Sequence, residues 1–267
     1  MKLADLKARM QELEIRSKRS LGQNFLVSDF VIDKIIAAAH VSEPNKLIEI
    51  GPGLGALTEK LADLKPLLIE LDSDLAAFWR ERGFEVIEAD ALKIDWNELP
   101  LIENTWLVSN LPYQISTHLV IDRCFGPSHL HGMILMFQKE VAQRLTSLVR
   151  TPNYGLLSVM AQNYWKISKV ADAAPKDFFP PPKIASRVLK FVRKPSEDLD
   201  DGFLKFLKAA FSHRRKFMLK NLKQLGHKKV TPMEQHLESM DIGLKVRAEE
   251  VTPEQFAELY RRWKKNE

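Results

Sequence analysis

The sequence contains one cysteine, Cys124, among its 267 residues. A single thiol can form neither an intramolecular disulfide nor a thiolate cluster, so disulfide-stapled folds and cysteine-based zinc sites are excluded. No stretch approaches the ~20 consecutive apolar residues that cross a bilayer, and residues 1–20 lack the apolar run of a signal peptide. We therefore expect a soluble, cytoplasmic protein that neither spans a membrane nor holds a metal ion.

Acidic residues are missing from residues 202–233, which carry nine basic ones. Up to residue 182 the chain holds 20 basic and 23 acidic residues, whereas residues 183–267 hold 20 and 12. A short basic run is often only a solvated helix face, but such a face normally mixes both signs of charge. The acid-free stretch therefore predicts binding of a polyanion such as RNA. The candidate contacts are Arg214, Arg215, Lys216, Lys220 and Lys223.

Short apolar runs rich in β-branched residues alternate with segments of helical spacing, which is typical of a parallel sheet covered by helices. The runs predict strands at 47–50, 67–71, 85–89, 106–109, 133–137, 164–170 and 187–192. The spacing predicts helices at 56–64, 75–82, 116–125, 139–148 and 156–163. We predict an open α/β sheet in which one of the last two strands runs antiparallel at an edge.

The character of the sequence changes after Val192. Residues 193–202 combine proline, serine, four acids and glycine, as a linker that enters a helix does. Apolar residues then recur at helical spacing until Gly226, and residues 252–255 (TPEQ) supply an N-cap, a first-position proline and a capping-box glutamine. We therefore predict a sheet domain at 1–194 and a small helical domain at 195–267.

A glycine-rich turn, EIGPGLG at residues 49–55, leaves a predicted strand and enters a helix. Glycines let the backbone turn tightly and approach a ligand without a Cβ clash, although alone the motif could be only a tight connection. Glu70 ends the next strand, where a carboxylate can bind both hydroxyls of a ribose. Asp90 ends the third strand and can accept a hydrogen bond from an adenine amine. Together these features predict an adenosyl ligand at the carboxyl edge of the sheet.

The same features leave a dinucleotide and S-adenosylmethionine open as ligands. Pro52 removes one backbone donor beside the turn, and the third glycine comes too early for the dinucleotide motif. A sulfonium cofactor has no pyrophosphate and needs fewer amide donors at the start of a helix. The turn therefore favours S-adenosylmethionine.

The tetrapeptide Asn110-Leu111-Pro112-Tyr113 follows the fourth predicted strand. The amino group of adenine is a poor nucleophile because its lone pair is delocalised into the ring. The side-chain oxygen of Asn110 and the backbone carbonyl of Leu111 can each accept one N–H and so direct the lone pair at a methyl donor. Pro112 rigidifies the turn, and the ring of Tyr113 can stack on the base and favour a cationic transition state. We predict an amine methyltransferase in which Asn110 is an orienting acceptor and abstracts no proton.

These residues resemble the ribosomal RNA adenine N6,N6-dimethyltransferases over nearly the whole chain. The motifs that carry the resemblance are residues 20–26 (SLGQNFL), 49–55, 69–72 (IELD), 110–113, 138–140 (QKE), 154–162 (YGLLSVMAQ), 178–183 (FFPPPK), 211–216 (FSHRRK) and 247–249 (RAE). The resemblance implies a class I S-adenosylmethionine-dependent methyltransferase, with a Rossmann-like, mostly parallel seven-stranded sheet and a small helical C-terminal domain. It also implies N6,N6-dimethylation of two adjacent adenosines in a hairpin near the 3′ end of 16S rRNA, late in small-subunit assembly. We expect a monomer whose partners are small-subunit rRNA and the assembling subunit.

The resemblance also assigns roles to individual residues. Those implied to bind S-adenosylmethionine are Asn24, Leu26, Gly51, Gly53, Glu70, Asp90 and Asn110, with the first two on its methionine side. Those implied to act in catalysis are Asn110, Leu111, Tyr113 and Phe178. Phe178 is expected to form the second wall of a base slot opposite Tyr113, because a flipped base stacks on two faces. The alternative for Phe178 is a plain hydrophobic anchor.

Three other interpretations stay open on sequence grounds. A DNA-adenine or a protein-glutamine methyltransferase can share a motif like that at 110–113, and an assembly or transcription factor can keep the fold without catalysis. The basic helical segment argues against protein glutamine, and the retained Glu70, Asp90, Asn110 and Tyr113 favour an active enzyme. The segment before residue 20 is long for the family, and its apolar spacing (Leu3, Leu6, Met10, Leu13) predicts a short amphipathic helix of undetermined role.

Overall fold

The computed structural model describes residues 3–13, 24–195, 199–225 and 230–265. The chain divides into two compact units, of which the first is Met1–Ala142 with Lys166–Arg193 and the second is Gln143–Trp165 with Lys194–Glu267. The predicted boundary at 194/195 lies within one residue of 193/194, where the chain passes between the units for the last time, but the sequence pattern placed 143–165 in the sheet domain. The motif residues 20–23, Gly226, Lys228 and Lys229 lie outside the described residues.

Unit 1 contains the sheet and the helices around it. Its elements in chain order are α1 (Leu3–Glu12), β1 (Phe25–Leu26), α2 (Asp29–His40), β2 (Lys46–Ile50), a 3-10 helix (Thr58–Leu64), β3 (Leu67–Glu70), α3 (Ser73–Glu81), β4 (Val86–Glu88), β5 (Thr105–Ser109), α4 (Tyr113–Cys124), β6 (Leu130–Gln138), β7 (Trp165–Ala173), β8 (Phe178–Phe179) and β9 (Ser186–Arg193). Helix α5 (Lys139–Leu145) crosses from one unit to the other. In the described part of the chain, no helix has the length and apolar character that a bilayer crossing requires.

Seven strands form one sheet in the order β4-β3-β2-β5-β6-β9-β7. The first five of these are parallel neighbours, and β9 runs antiparallel to β6. The predicted mostly parallel α/β sheet is confirmed, and all seven predicted strands occur. The expectation of an antiparallel edge strand is wrong in position, because β9 lies between β6 and β7.

The parallel strands end level with one another at their carboxyl ends. Ile50 of β2 pairs with Ile69 of β3, and Glu70 pairs with Glu88 of β4. The strands are apolar on both faces because helices cover the sheet, and β3 and β5 are buried at every position. Residues that follow β2, β3, β4 and β5 are therefore brought to one edge of the sheet.

The segment predicted as a helix at 56–64 is a 3-10 helix at Thr58–Leu64, which ends at Lys65 in the left-handed conformation (φ 46°). Helix α2 has no counterpart among the predictions, although Val31, Ile32, Ile35 and Ala39 give it a buried face. The amphipathic helix predicted near the N-terminus is α1, and its one buried side chain is Leu6.

Unit 2 is a helical bundle with an aromatic core. Its helices are α6 (Leu156–Tyr164), α7 (Asp201–Ala210), α8 (Met218–Leu222), α9 (Val230–Ser239) and α10 (Pro253–Lys265). The ring centroids of Phe203 and Phe206 lie 5.3 and 5.7 Å from that of Tyr260. The capping box is present, since Thr252 N donates to Gln255 Oε1 at 2.9 Å and Gln255 N to Thr252 Oγ1 at 3.2 Å.

Residues 143–165 belong to unit 2 because their polar side chains bond to the backbone before and within α10. The hydroxyl of Tyr154 donates to the Val251 carbonyl at 2.7 Å, and Asn163 Nδ2 donates to the Pro253 carbonyl at 3.0 Å. Both residues are buried, so these bonds hold α6 into the C-terminal helices.

Candidate active site

A cleft of about 250 Å³ opens in unit 1 where β2, β3, β4 and β5 end. It brings together nine residues that the sequence singled out, which are Asn24, Leu26, Gly51, Gly53, Glu70, Asp90, Asn110, Leu111 and Tyr113. These positions come from separate parts of the chain and meet because the parallel strands end at the same edge. Phe178 is the one predicted catalytic residue that does not line the cleft.

The glycine turn follows β2 directly. Gly51 and Gly55 have backbone φ values of 64° and 90°, which residues other than glycine rarely adopt. A Cβ on Gly55 would lie 2.5 Å from the ring of Trp79, whereas a Cβ on Gly51 would meet nothing within 4 Å. Gly55 is therefore required by packing, and Gly51 leaves open space beside the cleft.

Glu70 is fixed at the end of β3 by backbone amides. Its Oε1 accepts hydrogen bonds from Leu71 N at 2.8 Å and Asp72 N at 2.9 Å, and its Oε2 accepts one from Gly53 N at 3.4 Å. Burial raises the pKa of Glu70, although the three amide bonds lower it. The carboxylate is thus held against the glycine turn, with lone pairs left to accept from hydroxyl groups.

Asp90 and Leu71 form the cleft on the side of β3 and β4. Oδ1 of Asp90 accepts from Leu92 N at 3.0 Å, which turns the chain after β4 and orients the carboxylate. Leu71 is 53% exposed although it is a large apolar residue, and it lines the cleft. A carboxylate beside an apolar surface suits a planar heterocycle with an exocyclic amine.

Glu49 lies in β2, within the lining of the cleft, and is 2% exposed. Burial, followed by a weaker contribution from the charge of Glu70, raises the pKa of Glu49 to about 8, against the opposing effect of Thr58. Its Oε2 has no hydrogen-bond partner among the described residues. At neutral pH the Glu49 carboxyl is therefore mostly protonated.

Asn110 is oriented by the backbone of Asn24. Its Nδ2 donates to the Asn24 carbonyl at 3.2 Å, so Oδ1 is the atom left to accept. Neither Asn110 Oδ1 nor the Leu111 carbonyl accepts a hydrogen bond from the residues that the structure describes. Ser109, the last residue of β5, is tied to β2 because its hydroxyl donates to the Ile50 carbonyl. The turn thus presents two acceptor oxygens from a fixed strand end.

Tyr113 begins α4 with its ring half-buried. Its hydroxyl lies 2.6 Å from Oγ of Ser186, the first residue of β9, and burial raises the pKa of Tyr113. The phenol is therefore neutral at physiological pH and anchored at its far end. An aromatic ring held in this way offers a fixed face for stacking.

Phe178 is 3% exposed and packs in the core of unit 1. Strands β1 and β8 pair antiparallel, with Leu26 opposite Phe178 and Phe25 opposite Phe179. This short sheet fixes the segment that carries Asn24 and Leu26 beside the cleft. The position of Phe178 matches the hydrophobic anchor, and its part in a base slot stays a prediction.

A second cavity, of about 490 Å³, lies in unit 2 and is rich in cations. Its basic lining residues are His213, Arg215, Lys216, Lys220 and Arg247. Asn221 holds the loop before α8 in place, because its Nδ2 donates to the carbonyls of Ala210 and His213 at 2.8 and 3.1 Å. None of the described residues that line the cavity is acidic.

Two predicted RNA contacts are not brought to this cavity. Arg214 Nε lies 2.6 Å from an oxygen of Glu249, and its Nη2 donates to the Pro152 carbonyl at 2.7 Å, so its guanidinium braces unit 2. Lys223 is exposed and lies outside the lining. Arg215, Lys216 and Lys220 are therefore the predicted contacts that the cavity brings together.

Three features of these sites were not predicted from the sequence: the contact of Ser186 with Tyr113, the protonation of Glu49 and the place of Arg247 in the basic cavity. Ser186 and the protonated state of Glu49 depend on long-range packing, and neither has a local sequence signal. Arg247 is the first residue of the motif at 247–249, and that motif could have suggested its place beside the basic residues of 202–233. Its backbone forms a bridge to Phe217, which brings it into the cavity lining.

The chain matches known proteins over most of its length. The model of the family described as ribosomal RNA adenine dimethylase matches residues 15–265. A protein of Bdellovibrio bacteriovorus named ribosomal RNA small subunit methyltransferase A is 50% identical over 262 residues, covering 96% of each chain. A protein of the same name from Staphylococcus epidermidis is 36% identical over 278 residues, covering 97% of this chain and 94% of its own.

Two solved structures are similar in fold and sequence. A dimethyladenosine transferase from Plasmodium falciparum is 27% identical with a TM-score of 0.79, over 90% of this chain and 98% of its own. The 23S rRNA methyltransferase ErmE is 26% identical with a TM-score of 0.65, over 90% of this chain and all of its own. With the family model, these similarities confirm the Rossmann-like methyltransferase fold, and the chain belongs to the ribosomal RNA adenine dimethylase family.

Proposed function

We propose that the protein uses S-adenosylmethionine to dimethylate N6 of two adjacent adenosines near the 3′ end of small-subunit rRNA. The observation that carries the proposal is the orientation of Asn110, whose Nδ2 is bound to the Asn24 carbonyl so that Oδ1 and the Leu111 carbonyl remain as acceptors. Family membership and the names of the relatives support the rRNA substrate.

The cleft fits S-adenosylmethionine in the chemistry of its lining. Glu70 would accept from the ribose hydroxyls, and Asp90 would accept from the adenine amine beside the apolar surface of Leu71. The open side of Gly51 would admit the chain of the methionine moiety without a Cβ clash, next to Asn24 and Leu26. The cofactor would supply an electrophilic methyl group.

The chain itself would activate the target by orientation. In the first transfer, Asn110 Oδ1 and the Leu111 carbonyl each accept one N–H of the target amine, so its nitrogen lone pair leaves conjugation with the ring and faces the cleft. In the second transfer, the monomethylated amine has one N–H left, which one of these two oxygens accepts. The ring of Tyr113, fixed through Ser186, would stack on the base and favour positive charge on the amine. Because a methylated ammonium of this kind is strongly acidic, its proton passes to water and no side chain is needed as a base.

The basic cavity of unit 2 supports an RNA substrate. Arg215, Lys216, Lys220 and Arg247 surround a space with no acidic lining, which suits RNA phosphates. The relatives named for the small subunit favour that subunit over the 23S rRNA named for ErmE. We infer that the cavity binds the backbone of small-subunit rRNA.

The test is methylation of small ribosomal subunits isolated from a bacterial strain that lacks this modification. Purified protein and methyl-labelled S-adenosylmethionine should place label in rRNA that digests to N6,N6-dimethyladenosine. Label in DNA or protein glutamine would favour one of the rival methyltransferases. Absence of label, with RNA still bound, would favour an assembly factor.

The variant Asn110→Ala tests the orienting role within the same assay. Because a misplaced reacting group costs about 100-fold in rate, we expect at least that loss in kcat with RNA binding unchanged. Asn97→Ala is the matched control, since Asn97 is exposed and bonds to Asp95 alone among the residues that the structure describes. An unaltered rate in Asn110→Ala would contradict the mechanism.

A further inference from the structure

Helix α1 packs against the back of the cofactor turn. Its buried Leu6 belongs to a cluster with Phe25, Leu54 and Leu75. Two of these, Phe25 and Leu54, also line the cleft. The ring of Phe25 would lie 3.3 Å from a Cβ on Gly53, so it is in close contact with the turn. The helix therefore supports the surface whose other side faces the ligand.

Arg9 makes the polar contacts between α1 and the turn. Its Nη1 donates to the Leu54 carbonyl at 2.7 Å, and its Nη2 lies 2.6 Å from Oε1 of Glu59 in the following 3-10 helix. The guanidinium also lies 5.9 Å from the ring centroid of Phe78. The Arg9 side chain is 22% exposed, so these bonds are partly shielded from water.

The turn is held at three successive points by groups from outside it. Trp79 Nε1 donates to the Gly53 carbonyl at 2.9 Å, Arg9 binds the next carbonyl, and Glu70 accepts from the Gly53 amide on the cleft side. Glycine-rich backbone loses much conformational entropy when it is ordered. A turn ordered before the ligand arrives spares binding that cost.

We propose that α1 is a brace for the cofactor turn and that Arg9 is its positioning residue, lowering the Kd for the cofactor by ordering Leu54 and its neighbours in advance. This proposal rests on the proposed function in one respect, that the cleft binds an S-adenosyl ligand. It gives the helix before residue 20 a role in cofactor affinity. Arg9 touches the turn and does not line the cleft.

The test compares Arg9→Met, which keeps the apolar stem and removes the donors, with wild type. Loss of a charge-assisted hydrogen bond corresponds to roughly a tenfold change, so we expect a tenfold higher Kd for S-adenosylhomocysteine by calorimetry. The KM for S-adenosylmethionine should rise equally, with kcat and RNA affinity unchanged. Arg80→Met is the matched control, because Arg80 pairs with Glu88 on the surface of the same unit.

The outcomes separate this proposal from the proposed function. If wild type does not bind S-adenosylhomocysteine, the proposed function fails; if wild type binds it and Arg9→Met binds equally well, the brace fails. A lower melting temperature with an unchanged Kd would also overturn the brace, since it would show a structural role alone. Should Arg9→Met not fold, Arg9→Lys decides, because a lysine keeps the charge but lacks the planar fork whose two nitrogens separately bond Leu54 and Glu59. The Kd of Arg9→Lys should be higher than that of wild type but less than ten times as high. A Kd equal to that of wild type would overturn the proposal.

Discussion

Replacing Glu49 by glutamine should change how the stability of the protein depends on pH. Glu49 is 2% exposed, and burial raises its pKa from the ordinary value of 4.5 to about 8. The folded protein therefore holds this proton more tightly than the unfolded chain does. The contribution of the protonated carboxyl is fully present below about pH 4.5 and is lost as the pH rises towards 8.

The magnitude follows from the size of the shift. Each pH unit between the two pKa values costs about 1.4 kcal/mol of unfolding free energy, so the full loss is on the order of 5 kcal/mol. Glu70 contributes in the same direction, because burial raises its pKa too, but it is present in both proteins. Glutamine cannot ionise, so Glu49→Gln should gain stability over wild type as the pH rises from 5 to 8, which lies within the interval between the two pKa values.

The assay is urea unfolding of both proteins at several pH values across that range. The difference in unfolding free energy should increase with pH, by up to about 1.4 kcal/mol per unit. Glu98→Gln is the control, since Glu98 is exposed, and its curve should run parallel to that of wild type. Parallel curves for Glu49→Gln and wild type would refute the assignment of a buried, protonated carboxyl.

Three further predictions concern the ligand sites. Ser186→Ala frees the hydroxyl of Tyr113, so kcat should fall several-fold while the Kd for S-adenosylhomocysteine stays unchanged; a changed Kd with constant kcat would contradict the stacking role. Glu70→Gln can keep one oxygen for the Leu71 and Asp72 amides but puts an NH2 group in the place of Oε2, opposite the Gly53 amide, so the Kd measured by calorimetry should rise by roughly 10- to 100-fold, and an unchanged Kd would exclude the ribose contact. Lys216→Ala should lower the slope of log affinity for rRNA against log salt by about 0.7–0.9, whereas Arg214→Ala should leave it unchanged; a wild-type slope in Lys216→Ala would show that Lys216 does not bind phosphate in this cavity.

The spacing of motifs anticipated the cleft because of a general property of parallel sheets. Residues 51, 70, 90 and 110 lie at or just after the ends of four successive strands, and the carboxyl ends of parallel strands meet at one edge. Their convergence could therefore be predicted without coordinates. The residue types at these positions, a glycine, two acids and an asparagine, then indicated the chemistry.

Other features depend on contacts that no local pattern encodes. Strands β1 and β8 have two residues each and exist because Leu26 meets Phe178 across a long stretch of chain. The insertion of β9 between β6 and β7 is likewise a choice of strand order, which hydrophobic alternation does not specify. The buried position of Phe178 follows from the pairing of β1 with β8. The three prolines at 180–182 do not indicate which way the Phe178 ring faces.

Two features of the structure that we did not predict, helix α2 and the pairing of Arg214 with Glu249, had signals in the sequence. Helix α2 carries apolar residues at Val31, Ile32, Ile35 and Ala39, which is a helical period. The pairing of Arg214 with Glu249 joins two motifs that the resemblance had already singled out, at 211–216 and 247–249. By contrast, the contact of Arg9 with the Leu54 carbonyl spans residues that no motif connects.

A crystal structure with S-adenosylhomocysteine and adenosine bound would test the central claim most directly. Asn110 Nδ2 should keep its bond to the Asn24 carbonyl, and N6 of adenosine should lie within about 3.2 Å of both Asn110 Oδ1 and the Leu111 carbonyl. An Asn110 Nδ2 that faced the base instead, or an adenosine amine beyond hydrogen-bond distance of both oxygens, would contradict the orienting role of Asn110.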